Sequence, residues 1–166
     1  MEEYCYFKDL KNFNLPPGSF QEIHQKTFFK GKVLVKISAS NPVLVEIAGP
    51  RIKKVEVKGV KEFGFQAEAD QDFYVGIQNR KGFFVKTSNV TVEFLMFSLK
   101  QAYDLFVKAK NLLVMLKDAP EYYDLQKESI KDLLKSLADL WDYYGYESKN
   151  MFKQLLNLIK KLERKF

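Results

Sequence analysis

The chain holds one histidine, His24, and one cysteine, Cys5. A metal site built on nitrogen or sulfur needs several such ligands at set spacings, so zinc-type chemistry has no ligand set here. Cys5 has only Lys8 close in sequence to lower its pKa, and no second thiol with which to form a disulfide. His24 falls on an expected strand near Phe20 and Ile23, which reads as a packed or surface imidazole. The acidic turn "EADQDF", residues 68 to 73, offers Asp70 and Asp72 to a hard cation. Calcium takes six or more oxygens, and this stretch lacks the glycine and distal glutamate of a well-specified loop, so a solvated turn is expected. Asp139 and Asp142 share a helix face beside Trp141, without the cleft and second element that acid–base catalysis requires. The segment "GPRIKKVEVKG" has cations but not the spacing of a phosphate-cradling loop. The expectation is a non-enzyme with no cofactor and no metal.

Positive charge is the more informative signal. Residues 51 to 61, "RIKKVEVKGVK", carry five cations against one carboxylate, and residues 149 to 166 carry six against one. Lys53, Lys54, Lys58 and Lys61 of the first stretch, with Lys160, Lys161, Arg164 and Lys165 of the second, are the candidates for contact with nucleic acid or an anionic membrane surface. The second group also has a plainer role, since cations in the last turns of a helix complement its dipole. Phe83, Phe84 or Tyr74, if exposed, could stack bases. The alternation of the two phenylalanines with Val85 places at least one of them in the core. Net charge is +6. Lys outnumbers Arg 24 to 3, whereas a dedicated nucleic-acid binder tends to use the planar fork of Arg. Abundant Lys and acid with little Arg fits a thermophilic source or an AT-rich genome.

These residues must be positioned by two kinds of element, and the change falls near residue 97. Before it, apolar residues alternate and turn residues recur every 8 to 12 positions. Seven of the eight glycines and four of the five prolines lie in that half. About eight antiparallel strands are expected: "SFQEIHQKTF", "KVLVKIS", "VLVEI", "IKKVEV", "EFGFQAE", "FYVGIQ", "FFVKT" and "VTVEFLMF". The inward set is Val33, Val35, Ile37, Val43, Val45, Ile47, Phe63, Phe65, Phe73, Val75, Ile77, Val90, Val92 and Phe94. After residue 97 the apolar period is three and four. Three helices are expected, over about 98–117, 121–144 and 147–165. Pro120 stops the first, and Gly145 sits past the end of the second.

The stretch "PPGSFQEIHQKTFFKGKVLVKISASNPVLVEIAGP", with "EFGFQAEADQDFYVGIQN" and "VTVEF", resembles GOLD-type β-sandwich domains over roughly residues 15 to 96. Those domains occur in cargo receptors of the early secretory pathway and in related lipid- or protein-binding proteins, and a helical segment follows the sandwich there too. The receptors carry a signal peptide, a disulfide and a membrane anchor, and none is legible here. The resemblance therefore implies only a sandwich used for protein or lipid-surface contact.

The expected architecture is α+β: an antiparallel, jelly-roll-like β-sandwich over 1–97 followed by a helical hairpin or three-helix unit over 98–166. The expected function is a non-catalytic protein-interaction or assembly module, oligomerising through its C-terminal helices. Met151, Leu155, Leu158 and Leu162 form the candidate partner-binding stripe. The acidic N-terminus lacks the basic and apolar regions of a signal peptide, and no run approaches the roughly 18 apolar residues of a membrane span, so a cytoplasmic location is expected.

Overall fold

The computed structural model describes residues 2–165 and places a six-stranded antiparallel sheet before three helices. The strands are β1 (Glu3–Leu15), β2 (Phe20–Lys26), β3 (Gly31–Ala48), β4 (Ile52–Ala67), β5 (Asp72–Asn79) and β6 (Ser88–Leu99). Their order is β1-β6-β3-β5-β2, with β4 paired to β3 off this path.

The long hairpin β3–β4 organises the rest. Val33, Val35, Ile37 and Ala39 point inward, and so do Val43, Val45 and Ile47. Between Ala39 and Val43 the register slips: Ala39 faces Gly59, whereas Val43 faces Val57. Three residues of β3, Ser40 to Pro42, thus oppose Lys58 alone, and such a bulge bends a strand without ending it. Gly59, at φ +76°, supplies the left-handed backbone on the partner side. Before the bend β3 pairs with β6, and after it with β5. The two halves of the sheet therefore curl over one another. Phe65 of one half meets Phe73 of the other edge-to-face at 5.5 Å. Gln25 of β2 donates to Asp9 of β1 at 2.9 Å, tying the outer edges together.

Six strands replace the eight expected. "KVLVKIS" and "VLVEI" are two halves of β3, and "IKKVEV" and "EFGFQAE" are two halves of β4, because Asn41-Pro42 and Lys58-Gly59 mark a bend and not turns. "FFVKT" is a loop. β1 lies outside the expected strands: its apolar residues lose their period at the bulge between Cys5 and Phe7. Of the inward set, every member is buried except Phe63, which packs half-buried against the same core.

β6 runs straight into α1 (Lys100–Asp118), followed by α2 (Tyr122–Asp139), a short 3-10 turn at Trp141–Tyr143, and α3 (Tyr146–Lys165). α2 ends several residues earlier than the apolar spacing suggests. Tyr144 is extended and forms a bridge with Phe29, while Lys30 N–H donates to Tyr143 O and Gly145 N–H to Phe28 O. Gly145 is thus the residue before α3, not the tail of α2. The helices have their own apolar core, including Ala102, Ala109, Leu113, Leu116, Ile130, Leu137, Phe152 and Leu155. Phe29 from the sheet segment is buried within it, and Tyr6 packs against both cores.

Candidate functional site

The β5–β6 loop, residues 80–87, leaves the sheet at the bend of β3. Its base is firmly held. Buried Asn79 donates through Nδ2 to Leu15 O at 2.8 Å and Lys86 O at 2.9 Å, while its Oδ1 accepts from Arg80 N–H at 2.9 Å. Asn41 donates to Thr87 O at 2.9 Å, Ser88 Oγ donates to Asn41 O at 2.7 Å, and Gly18 N–H donates to Arg80 O at 2.9 Å. These bonds grip both ends of the loop, so it is presented on a fixed stem.

Its tip is free. Phe83 and Phe84 are 104% and 99% exposed, so neither ring is buried in the protein's own core. This corrects the expectation that one of them is core. Alternation with Val85 has structural meaning only inside a strand, and here Gly82, at φ +144°, opens a turn with no neighbouring strand. Two adjacent phenylalanine rings left in water forgo roughly 1.5–3 kcal/mol of burial each.

The surroundings are cationic. The segments that meet at this end are residues 12–19, 38–44, 56–61 and 79–91. They carry Lys58, Lys61, Arg80, Lys81 and Lys86 against one carboxylate, Glu56. That carboxylate is already engaged by Arg80, Nη2 to Oε2 at 2.7 Å, and Lys61 Nζ donates to Glu56 O at 3.1 Å. Val60, also at the bend, is 59% exposed.

The other candidate residues distribute as follows. Lys54, Lys58 and Lys61 are exposed, whereas Lys53 is half-buried with its ammonium over the rings of Phe63 and Phe65. Lys160, Lys161, Arg164 and Lys165 are exposed on α3, roughly 20 Å or more along the helix from its start at the sheet. The fold does not merge the two basic stretches into one surface. In the expected partner-binding stripe, Leu155 and Leu162 are buried in the helical core, and Met151 and Leu158 pack half-buried against it. The exposed apolar residues of the helical unit include instead Val114, Met115, Tyr122 and Leu125 around the α1–α2 connection. Met151 also lines a cavity of about 400 Å³ with Tyr6, Phe28, Phe29, Tyr103 and Phe106.

Among the described residues no three His, Cys, Asp or Glu side chains come together as metal ligands. His24 is exposed, 3.4 Å from Glu22, and Cys5 is exposed. Asp70 has φ +60° and accepts from Tyr146 N–H. Shifted proton affinities fall on tyrosines. Burial raises Tyr144, whose hydroxyl donates to Ala102 O, and burial with the Glu163 carboxylate pushes Tyr123 up to about 12. No helix among the described residues is long and apolar enough to cross a membrane.

No family model and no curated protein matches the chain. Solved structures that match part of the chain include a de novo designed double-stranded β-helix (TM-score 0.34, 13% identity, covering 52% of this chain and 97% of that one). The Drosophila melanogaster CENP-C cupin domain gives TM-score 0.34 at 11% identity, covering 52% of this chain and 59% of that one. PliG of Salmonella Typhimurium, a periplasmic inhibitor of g-type lysozyme, gives 0.37 at 14%, covering 53% and 86%. Every one of these TM-scores lies below 0.5, so the fold is described from this chain's own strand pairing alone, a curled six-stranded antiparallel sheet followed by three helices.

Proposed function

We propose that this protein is a non-catalytic interaction module whose contact element is the β5–β6 loop. The observation that carries the reading is the pair of fully exposed rings, Phe83 and Phe84, at the tip of a loop whose stem is held by Asn79. Contiguous apolar side chains kept in water on a rigid support are the usual mark of a contact surface. A GOLD-type relationship of the sheet is part of the same proposal. Self-association through the α3 stripe draws no support from Leu155 and Leu162, which face the protein's own core.

Phe84→Trp tests the reading by its emission, taken as the difference from wild type, whose one tryptophan is Trp141. The probes are lipid vesicles, a single-stranded oligonucleotide and concentrated unlabelled protein. A blue shift or quenching with any one of them supports the loop as the contact. An emission spectrum indifferent to all three overturns it.

A further inference from the structure

Resting on that reading, we infer that the partner of the Phe83–Phe84 loop is an anionic lipid bilayer surface, entered by the two rings and faced by the cations around them. Three features point there. The first is the shape of the apolar surface: the two most exposed large apolar side chains among the described residues are neighbours at the tip of one loop, with Val60 a further exposed apolar residue at the bend. A shallow wedge of this kind suits the boundary between headgroups and acyl chains, where aromatic rings are at home.

The charge is also arranged for a negatively charged plane. Lys58 and Lys61 come from the β4 bend, and Lys81 and Lys86 from the loop itself, yet they meet at this one end, where Arg80 is paired with Glu56. The one carboxylate there, Glu56, is neutralised by Arg80. Lysines suit this role because a headgroup layer is a diffuse field that point charges satisfy, with no need for a fork. The stem supplies the third feature. With Asn79, Asn41 and Ser88 fixing both ends of the loop, insertion of the rings has only the short tip left to order.

Single-stranded nucleic acid fits the same site less well. Base-stacking proteins lay aromatics along a groove that tracks the phosphates, whereas these two rings are adjacent on one turn. Arg80, the one guanidinium at this end, is committed to Glu56.

The experiment is co-sedimentation of the full chain with vesicles of phosphatidylcholine, with and without phosphatidylserine. Wild type is expected to bind the phosphatidylserine vesicles, and to release them as salt is raised. Phe83→Ser/Phe84→Ser is expected to weaken that binding roughly tenfold or more with its denaturation midpoint unchanged, since the rings are not part of the core. Lys58→Glu/Lys86→Glu should weaken it similarly, and only on the anionic vesicles. No sedimentation with phosphatidylserine vesicles overturns the inference, as does sedimentation indifferent to the phenylalanine pair. If Phe84→Trp emission responds to the oligonucleotide or to concentrated protein but not to vesicles, the bilayer is excluded and the loop reading survives. If it responds to none, both fail.

Discussion

Asp70 Oδ2 accepts the backbone N–H of Tyr146 at 2.8 Å, so a turn of the sheet caps the first turn of a helix that begins 76 residues later. The first N–H groups of a helix have no partner within it, and a carboxylate there also meets the positive end of the dipole. Asp70→Ala should therefore destabilise the protein by about 1–2 kcal/mol. Asp70→Asn keeps an acceptor and tolerates the positive φ, so it should cost clearly less. Urea midpoints of the two variants check this; equal losses would show that the cap is not the cause.

Gly145 is fixed by the same junction. A Cβ at this position would lie 2.6 Å from Asp70 Oδ1 and 2.8 Å from the carbonyl oxygen of Phe28. Gly145→Ala is expected to cost roughly 1–3 kcal/mol by forcing backbone apart. In a double-mutant cycle with Asp70→Ala the two losses should not add, because each opens the same contact. Strict additivity would separate them.

The junction was not legible in the sequence, and the reason is physical. Gly145 after an apolar helical stripe looks like the end of α2, since a close backbone approach and a left-handed cap both call for glycine. Asp70 in "EADQDF" looks like a solvated turn because nothing local says that a helix end will arrive there. What was legible is what short-range pattern dictates. The alternation of Val33, Val35 and Ile37 in β3, and of Phe73, Val75 and Ile77 in β5, marks the buried face of each strand correctly. The switch from period two to period three and four falls within three residues of the observed start of α1. Asn41-Pro42 could not reveal whether it breaks a strand or bends it, because both demand the same residues. Phe83 and Phe84 carry strong β propensity, and only the absent neighbouring strand shows that they are a loop.

Leu155 decides whether the α3 stripe is core or interface. It is 0% exposed among the helices. Leu155→Ala should cost about 2–5 kcal/mol, the range for a buried leucine that leaves a cavity. The mass by light scattering should be unchanged from wild type at equal concentration. A variant of normal stability with a different mass would return the stripe to the role of an interface.

Asn79 joins stability to the proposed contact. Replacing it by Ala leaves the carbonyls of Leu15 and Lys86 and the N–H of Arg80 without their partner, at a cost of roughly 1–3 kcal/mol for each buried group that water does not reach. Hydrogen exchange should speed up at the backbone amides of residues 80–87 before it does in the strands. Unchanged exchange in the loop would mean that its stem is held by something other than Asn79.

Alkaline titration gives the last prediction. Tyr144 and Tyr123 bind their protons more tightly when folded than the ordinary phenol near 10, Tyr144 through burial, and Tyr123, at about 12, through burial and the Glu163 carboxylate 2.8 Å from its hydroxyl. Between the unfolded and folded values the unfolded chain loses protons that the folded chain keeps, so stability falls as pH rises. The contribution of Tyr123 is complete below pH 10 and lost progressively from pH 10 to about 12. Urea midpoints measured from pH 8 to 11 should be flat and then decline steeply. Tyr123→Phe and Tyr144→Phe should each lower the plateau, through the lost bonds to Glu163 and to Ala102 O, and each make the decline shallower. A decline of the same slope in both variants would assign the alkaline loss to other groups.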